Sequence, residues 1–101
     1  MSLARRQELV RLAREYDALI VTDDVYDMLQ WSPSSDAVAT QKFDQAVLPR
    51  IVDIDRYLDG GTIDDWGNSV SNGSFSKIIA PGCRTGWAEG TPKLVFGISE
   101  T

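Results

Sequence analysis

Lys77 follows Ser74-Phe75-Ser76 directly, and a lone arginine, Arg84, stands seven positions further on, across the Pro81-Gly82 pair. A lysine amine condenses with an aldehyde to form a Schiff base, while hydroxyls and a guanidinium hold a phosphate. An aldehyde and a phosphate on one small molecule describe pyridoxal 5'-phosphate, so this stretch predicts a cofactor site with Lys77 as its covalent anchor. Taken singly, each residue has a plainer reading. Lys77 is then a solvated charge, Arg84 the partner of a surface carboxylate, and Ser76 a hydroxyl satisfying a backbone amide.

Such a cofactor works as an electron sink only while its ring nitrogen stays protonated, which calls for a carboxylate. Ala18-Leu19-Ile20-Val21 is an apolar, partly β-branched run of the kind that forms a buried strand, and Thr22-Asp23-Asp24 ends it, with Tyr26 close behind. Ligands of open α/β sheets sit beyond the carboxyl ends of the strands. An acid there, with a phenol three residues on, can serve the ring nitrogen and the neighbouring ring oxygen. Asp23 is the expected ligand and Asp24 the expected cap, since aspartate also terminates strands and turns.

Two motifs in this order, VTDDVYDML at 21–29 and SNGSFSKIIAPGCRTGW at 71–87, resemble the class I/II aminotransferases, the fold type I group of pyridoxal-phosphate enzymes. The opening SLARRQELVRLAREYDALI and the closing WAEGTPKLVFGISET are similar as well. The resemblance covers nearly the whole chain apart from 32–49 and part of 56–68. It implies an α/β fold, part of the family's large domain, with a mostly parallel sheet flanked by helices. It implies one cofactor-binding unit over 1–101, interrupted by a variable loop at about 32–49.

Carried over position by position, the resemblance implies that Asp23 pairs with the ring nitrogen and Tyr26 with the ring oxygen, helping to set the Schiff-base pKa. Lys77 would hold the cofactor and then shuttle the substrate proton. Ser74 and Arg84 would bind the phosphate, with Ser76 a lesser candidate. The implied reaction is amino-group transfer from an amino acid to a 2-oxo acid, in a full-length homodimer. Complete members are several times longer. Their glycine-rich phosphate loop, ring-stacking aromatic, cofactor asparagine and substrate-carboxylate arginine have no matching position here, so the chain is expected to be an internal fragment, a truncated gene product or a degenerate copy, inactive in isolation. The spacing from Asp23 to Lys77 exceeds the family's usual one, which places extra residues in the two variable stretches. Three alternatives stay open: a pyridoxal-phosphate-dependent lyase, a cofactor-binding effector domain of a transcription regulator, and a non-functional remnant unable to close the pocket.

Composition narrows the partners. The 101 residues carry a formal net charge of −5, which disfavours a nucleic-acid backbone. The chain has no histidine and a single cysteine, so it holds neither a histidine-based triad nor a thiolate zinc cluster. No run approaches the roughly 20 apolar residues of a membrane span. Arg5, Arg6, Arg11 and Arg14 alternate with Glu8, Glu15 and Asp17, unlike a secretory or transit leader. A cytoplasmic protein without a membrane partner is expected, with Cys83 a small packed residue.

The elements that must position these groups follow an α/β order. Ser2 predicts the cap of a helix running to about Tyr16, with Leu9, Leu12, Ala13 and Tyr16 as its apolar stripe. A strand at 18–22 follows. Trp31 to Pro49 reads as a loop, Ile51-Val52-Asp53-Ile54 as a short strand, and Gly60-Gly61 and Trp66-Gly67-Asn68 as loop punctuation. Ser69 to Phe75 and Arg84 to Glu89 predict strands on either side of the lysine loop. Thr91-Pro92 opens a last helix.

Overall fold

Helix α1 (Leu3–Glu15) begins where Ser2 predicts: its hydroxyl accepts the Arg5 backbone amide at 3.3 Å, relieving one of the unpaired donors of the first turn. The structure is a computed structural model and describes residues 1–27, Leu29 and 48–101. The expected loop at 32–49 therefore falls mostly outside the described residues. The buried face of α1 carries Val10 and Ala13, with Leu9 packed alongside, whereas Leu12 and Tyr16 are exposed. Two apolar faces fit the helical period on α1, and the neighbouring helix selects the one centred on Val10.

That neighbour is α2 (Ile51–Tyr57), a helix where the sequence reading expects a strand. Four apolar and acidic residues in a row fit either period. Tertiary packing decides, because Ile51, Ile54, Asp55 and Leu58 recur at helical spacing and all are buried. Asp53 accepts the Arg50 backbone amide at 3.1 Å and so closes the first turn. Val10, Ile51, Ile54 and Leu58 form the core, with Leu9 and Ile20 packed against it. A short 3₁₀ turn, Leu58–Gly60, follows.

The sheet holds β1 (Ile20–Asp23), β2 (Ser69–Ser74) and β3 (Gly86–Glu89) in that order. β1 and β2 run parallel with Ile20 opposite Ser69 and Asp23 opposite Asn72; β2 and β3 run antiparallel with Ser74 opposite Gly86. The resulting three-stranded sheet is mixed. Side chains of β1 alternate: Ile20 turns to the helical core, while Val21, 68 % exposed, and Asp23 occupy the other face. Helix α3 (Pro92–Ser99) starts at Thr91, whose hydroxyl accepts from the Leu94 amide and donates to the Trp66 carbonyl at 2.7 Å. Among the described residues no helix is long and apolar enough to cross a membrane.

Two polar clusters tie these layers together. Asp55, only 2 % exposed, meets the Arg14 guanidinium at 3.1 Å, the Asn68 amide at 2.7 Å and the Ser69 hydroxyl at 3.1 Å. One carboxylate thus joins α1, α2 and β2. At the end of β3, Glu89 accepts from Arg50 at 2.9 Å and from Arg56 at 2.6 Å. The Arg50 hydrogen bonds, outweighing partial burial, hold the Glu89 carboxyl below its ordinary value of 4.5, with Arg56 adding to the effect. A carboxyl depressed in the folded state lends stability above its unfolded pKa, and that stability is lost as pH falls through the folded value. Stability is therefore expected to decline on acidification below about 4.5. Glu89→Gln should flatten this decline when urea unfolding is followed from neutral to acid pH.

Candidate active site

Because β1 and β2 are parallel, their carboxyl ends lie at one edge of the sheet, and the predicted site residues gather there. The Asp24 amide donates to the Asn72 carbonyl at 2.8 Å, extending the ladder one step past β1. The Asp24 carboxylate then takes the hydroxyls of Thr22 and Ser71, each at 2.5 Å, and Ser71 is fully buried. Charge-assisted bonds of this kind are short and strong. Asp24 is thus more than a cap: it fastens the end of β1 to β2. The chain turns directly after it, with the Asp27 amide bonded to the Asp24 carbonyl at 3.1 Å and the Leu29 amide to the Tyr26 carbonyl at 2.8 Å.

This turn brings Tyr26 beside the lysine. Lys77 Nζ lies 5.9 Å from the centroid of the Tyr26 ring, within reach of the attraction between an ammonium and an aromatic face. Asp27, on the same turn, has its carboxyl pushed above the ordinary value, first by burial and then by the neighbouring Asp24 charge, with Arg50 opposing.

Asp23 is exposed on the face opposite the helices, and its Oδ1 accepts from Asn72 Nδ2 at 3.2 Å. Ser74 closes β2. Its hydroxyl accepts the Ser76 amide at 3.1 Å and donates to the Thr85 carbonyl at 3.4 Å, so Ser74 satisfies the amide of Ser76 rather than the reverse. The 3₁₀ turn Phe75–Lys77 then presents the lysine. A second, Pro81–Cys83, leads to Arg84, whose φ of 52° is left-handed. Lys77 and Arg84 therefore sit on one connection between β2 and β3, both exposed. Cys83 is exposed too, not packed, because it lies at the tip of this connection.

The connection is clamped at its base. The Phe75 amide donates to the Thr85 carbonyl at 3.1 Å, and the Phe75 and Trp87 rings meet at 4.9 Å between centroids. Gly73 is required beneath the indole, since a Cβ there would overlap Trp87 ring atoms. Asn72, and the carboxylate role of Asp24 toward Ser71, escaped the sequence reading. Laying β1 against β2 in parallel register, with alternate residues on one face, is the signal that finds Asn72.

No family model matches the chain. An uncharacterized protein of Saccharomyces cerevisiae is 46% identical across 87% of this chain and 18% of its own length. An aromatic amino acid aminotransferase of Schizosaccharomyces pombe is 32% identical across 98% of this chain and 21% of its own. Aromatic-amino-acid aminotransferase 1 of Thermococcus litoralis is 33% identical across 94% and 18%, respectively. The solved structure of a multiple substrate aminotransferase from Thermococcus profundus matches with a TM-score of 0.69 and 35% identity, over 99% of this chain and 20% of that one. The chain spans about a fifth of the length of these relatives. Over nearly all of its residues this chain is similar, in sequence and in fold, to one part of these aminotransferases.

Proposed function

We propose that this chain carries the cofactor-anchoring edge of a pyridoxal-phosphate-dependent aminotransferase, which moves an amino group from an amino acid to a 2-oxo acid. The observation that carries the reading is the Lys77 amine held over Tyr26, beside the carboxyl ends of two parallel strands that bear Asp23 and Ser74. The donor set fits the cofactor: an amine for an aldehyde, an acid for a basic ring nitrogen, a phenol for a ring oxygen, and hydroxyls with a guanidinium for a phosphate. When bound, pyridoxal phosphate supplies an electron sink for the charge left as the substrate carbon loses its proton.

The chain's own residues would do the rest. Asp23, hydrogen-bonded by Asn72, would pair with the ring nitrogen. Tyr26 offers its phenol to the ring oxygen. Ser74 and Arg84 take the phosphate, with Ser76 as a further hydroxyl. Lys77 Nζ provides first the attachment point and then the base that takes and returns the proton at the substrate Cα. Aromatic amino acids are the donors this reading favours, since relatives named for an activity include aromatic amino acid aminotransferases and an L-tyrosine:2-oxoglutarate aminotransferase of Serpula lacrymans. The same names weigh against the lyase and the regulator-domain alternatives. A homodimer is the assembly proposed for the full-length protein, and the cytoplasm its compartment.

The test uses the three lysines of the chain, Lys42, Lys77 and Lys93. Mixing the protein with pyridoxal phosphate should produce the imine absorbance band. Borohydride reduction followed by peptide mapping should then place the label on Lys77. Equal labelling of all three would defeat the proposal.

A further inference from the structure

We infer that Asn72 is the positioning residue for Asp23, fixing which carboxylate oxygen faces the ligand. This rests on the cofactor-site reading above. Asn72 stands in register with Asp23 across the parallel β1–β2 pair, and it bonds both Asp23 and the next residue, Asp24. Its backbone carbonyl accepts the Asp24 amide at 2.8 Å, and its side-chain Nδ2 donates to Asp23 Oδ1 at 3.2 Å. One carboxylate oxygen is thereby engaged and the other is left for a ligand. The amide donor is uncharged, so it orients Asp23 without cancelling its charge, as a lysine or arginine in its place would do.

Both side chains lie on the exposed face, away from the core built by Val10, Ile51, Ile54 and Leu58. Packing therefore does not require an asparagine there. In water such a bond contributes little. Once a ring covers the pair and excludes solvent, a hydrogen bond to a charged group strengthens, and its loss leaves the carboxylate both misaimed and less well satisfied. The consequence belongs to the loaded state and not to the fold.

The experiment compares the full chain with Asn72→Leu, which removes the donor, and Asn72→Asp, which keeps the shape but sets a second carboxylate against Asp23. Melting temperature without ligand should be nearly unchanged in both, and borohydride labelling should still map to Lys77. The dissociation constant for pyridoxal phosphate should rise about five- to tenfold in Asn72→Leu. It should rise further in Asn72→Asp, and the pH profile of the imine band should shift in both variants. Wild-type affinity and a wild-type pH profile in both, with the label still on Lys77, would overturn the role of Asn72 while leaving the site intact. No imine band in the parent chain, or a label away from Lys77, would overturn the site and this role together.

Discussion

Lys77→Ala is expected to abolish the borohydride-trapped adduct completely while leaving the fold in place. The amine sits at the end of an exposed 3₁₀ turn, so its removal costs the folded state no more than about 0.5 kcal/mol. Lys93 does not replace it in the site, because it stands in the first turn of α3 and not on the β2–β3 connection that carries Lys77. Ser74, Arg84, Tyr26 and Asp23 all remain in the variant, so weak reversible binding should persist by absorbance difference or calorimetry. Lys77→Arg makes the comparison sharper. It keeps a cation for the Tyr26 ring but has no amine able to form an imine, so the band should vanish there too. A band that survives in both variants would place the attachment elsewhere.

The largest effect on stability is expected at Asp55. Asp55→Ala leaves the Arg14 guanidinium, 8 % exposed, facing the space its carboxylate occupied, and strips partners from the Asn68 amide and the Ser69 hydroxyl. Removing one member of a buried pair costs about 3–5 kcal/mol, against a total of about 5–15 kcal/mol for a native domain. Urea unfolding should show a midpoint far below that of the parent chain, with part of the population unfolded before denaturant is added. Replacing both members, as in Arg14→Met with Asp55→Leu, should recover much of the loss, because no charge is then stranded. If the single and double variants unfold alike, the pair is not what holds α1, α2 and β2 together.

The legible and illegible parts of this molecule divide along the distance over which residues act. Ser2, Thr91 and Pro92 cap or open helices through contacts three residues away, and their signals are plain in the sequence. The strands that flank the lysine are equally plain, bounded as they are by glycines and turn residues. Ile51 to Ile54 is different. A short apolar run carries both periods, and only the partners Val10 and Leu58 make it a helix. The stripe on α1 fails for the same reason, since Leu12 and Tyr16 are as apolar as the face that is buried. At the site, Lys77, Tyr26, Asp23, Ser74, Ser76 and Arg84 stand out by residue type and spacing. The partners of the two acidic residues do not, because Ser71 and Asn72 come from a strand nearly fifty positions away.

That separation governs when the site comes into being. Asp23 and Asn72, 49 positions apart, become neighbours only after the parallel ladder has closed a long loop, a step that is slow and entropically costly. Neither half of the constellation exists in a chain that has formed only its local helices. A ligand that spans both strands therefore recognises the assembled topology and nothing earlier. By mass action it draws the folding equilibrium toward that state, contributing about 2.7 kcal/mol at a hundredfold excess over its dissociation constant. The cofactor proposed for this site would in this sense also be a thermodynamic latch on a fold closed through a long loop.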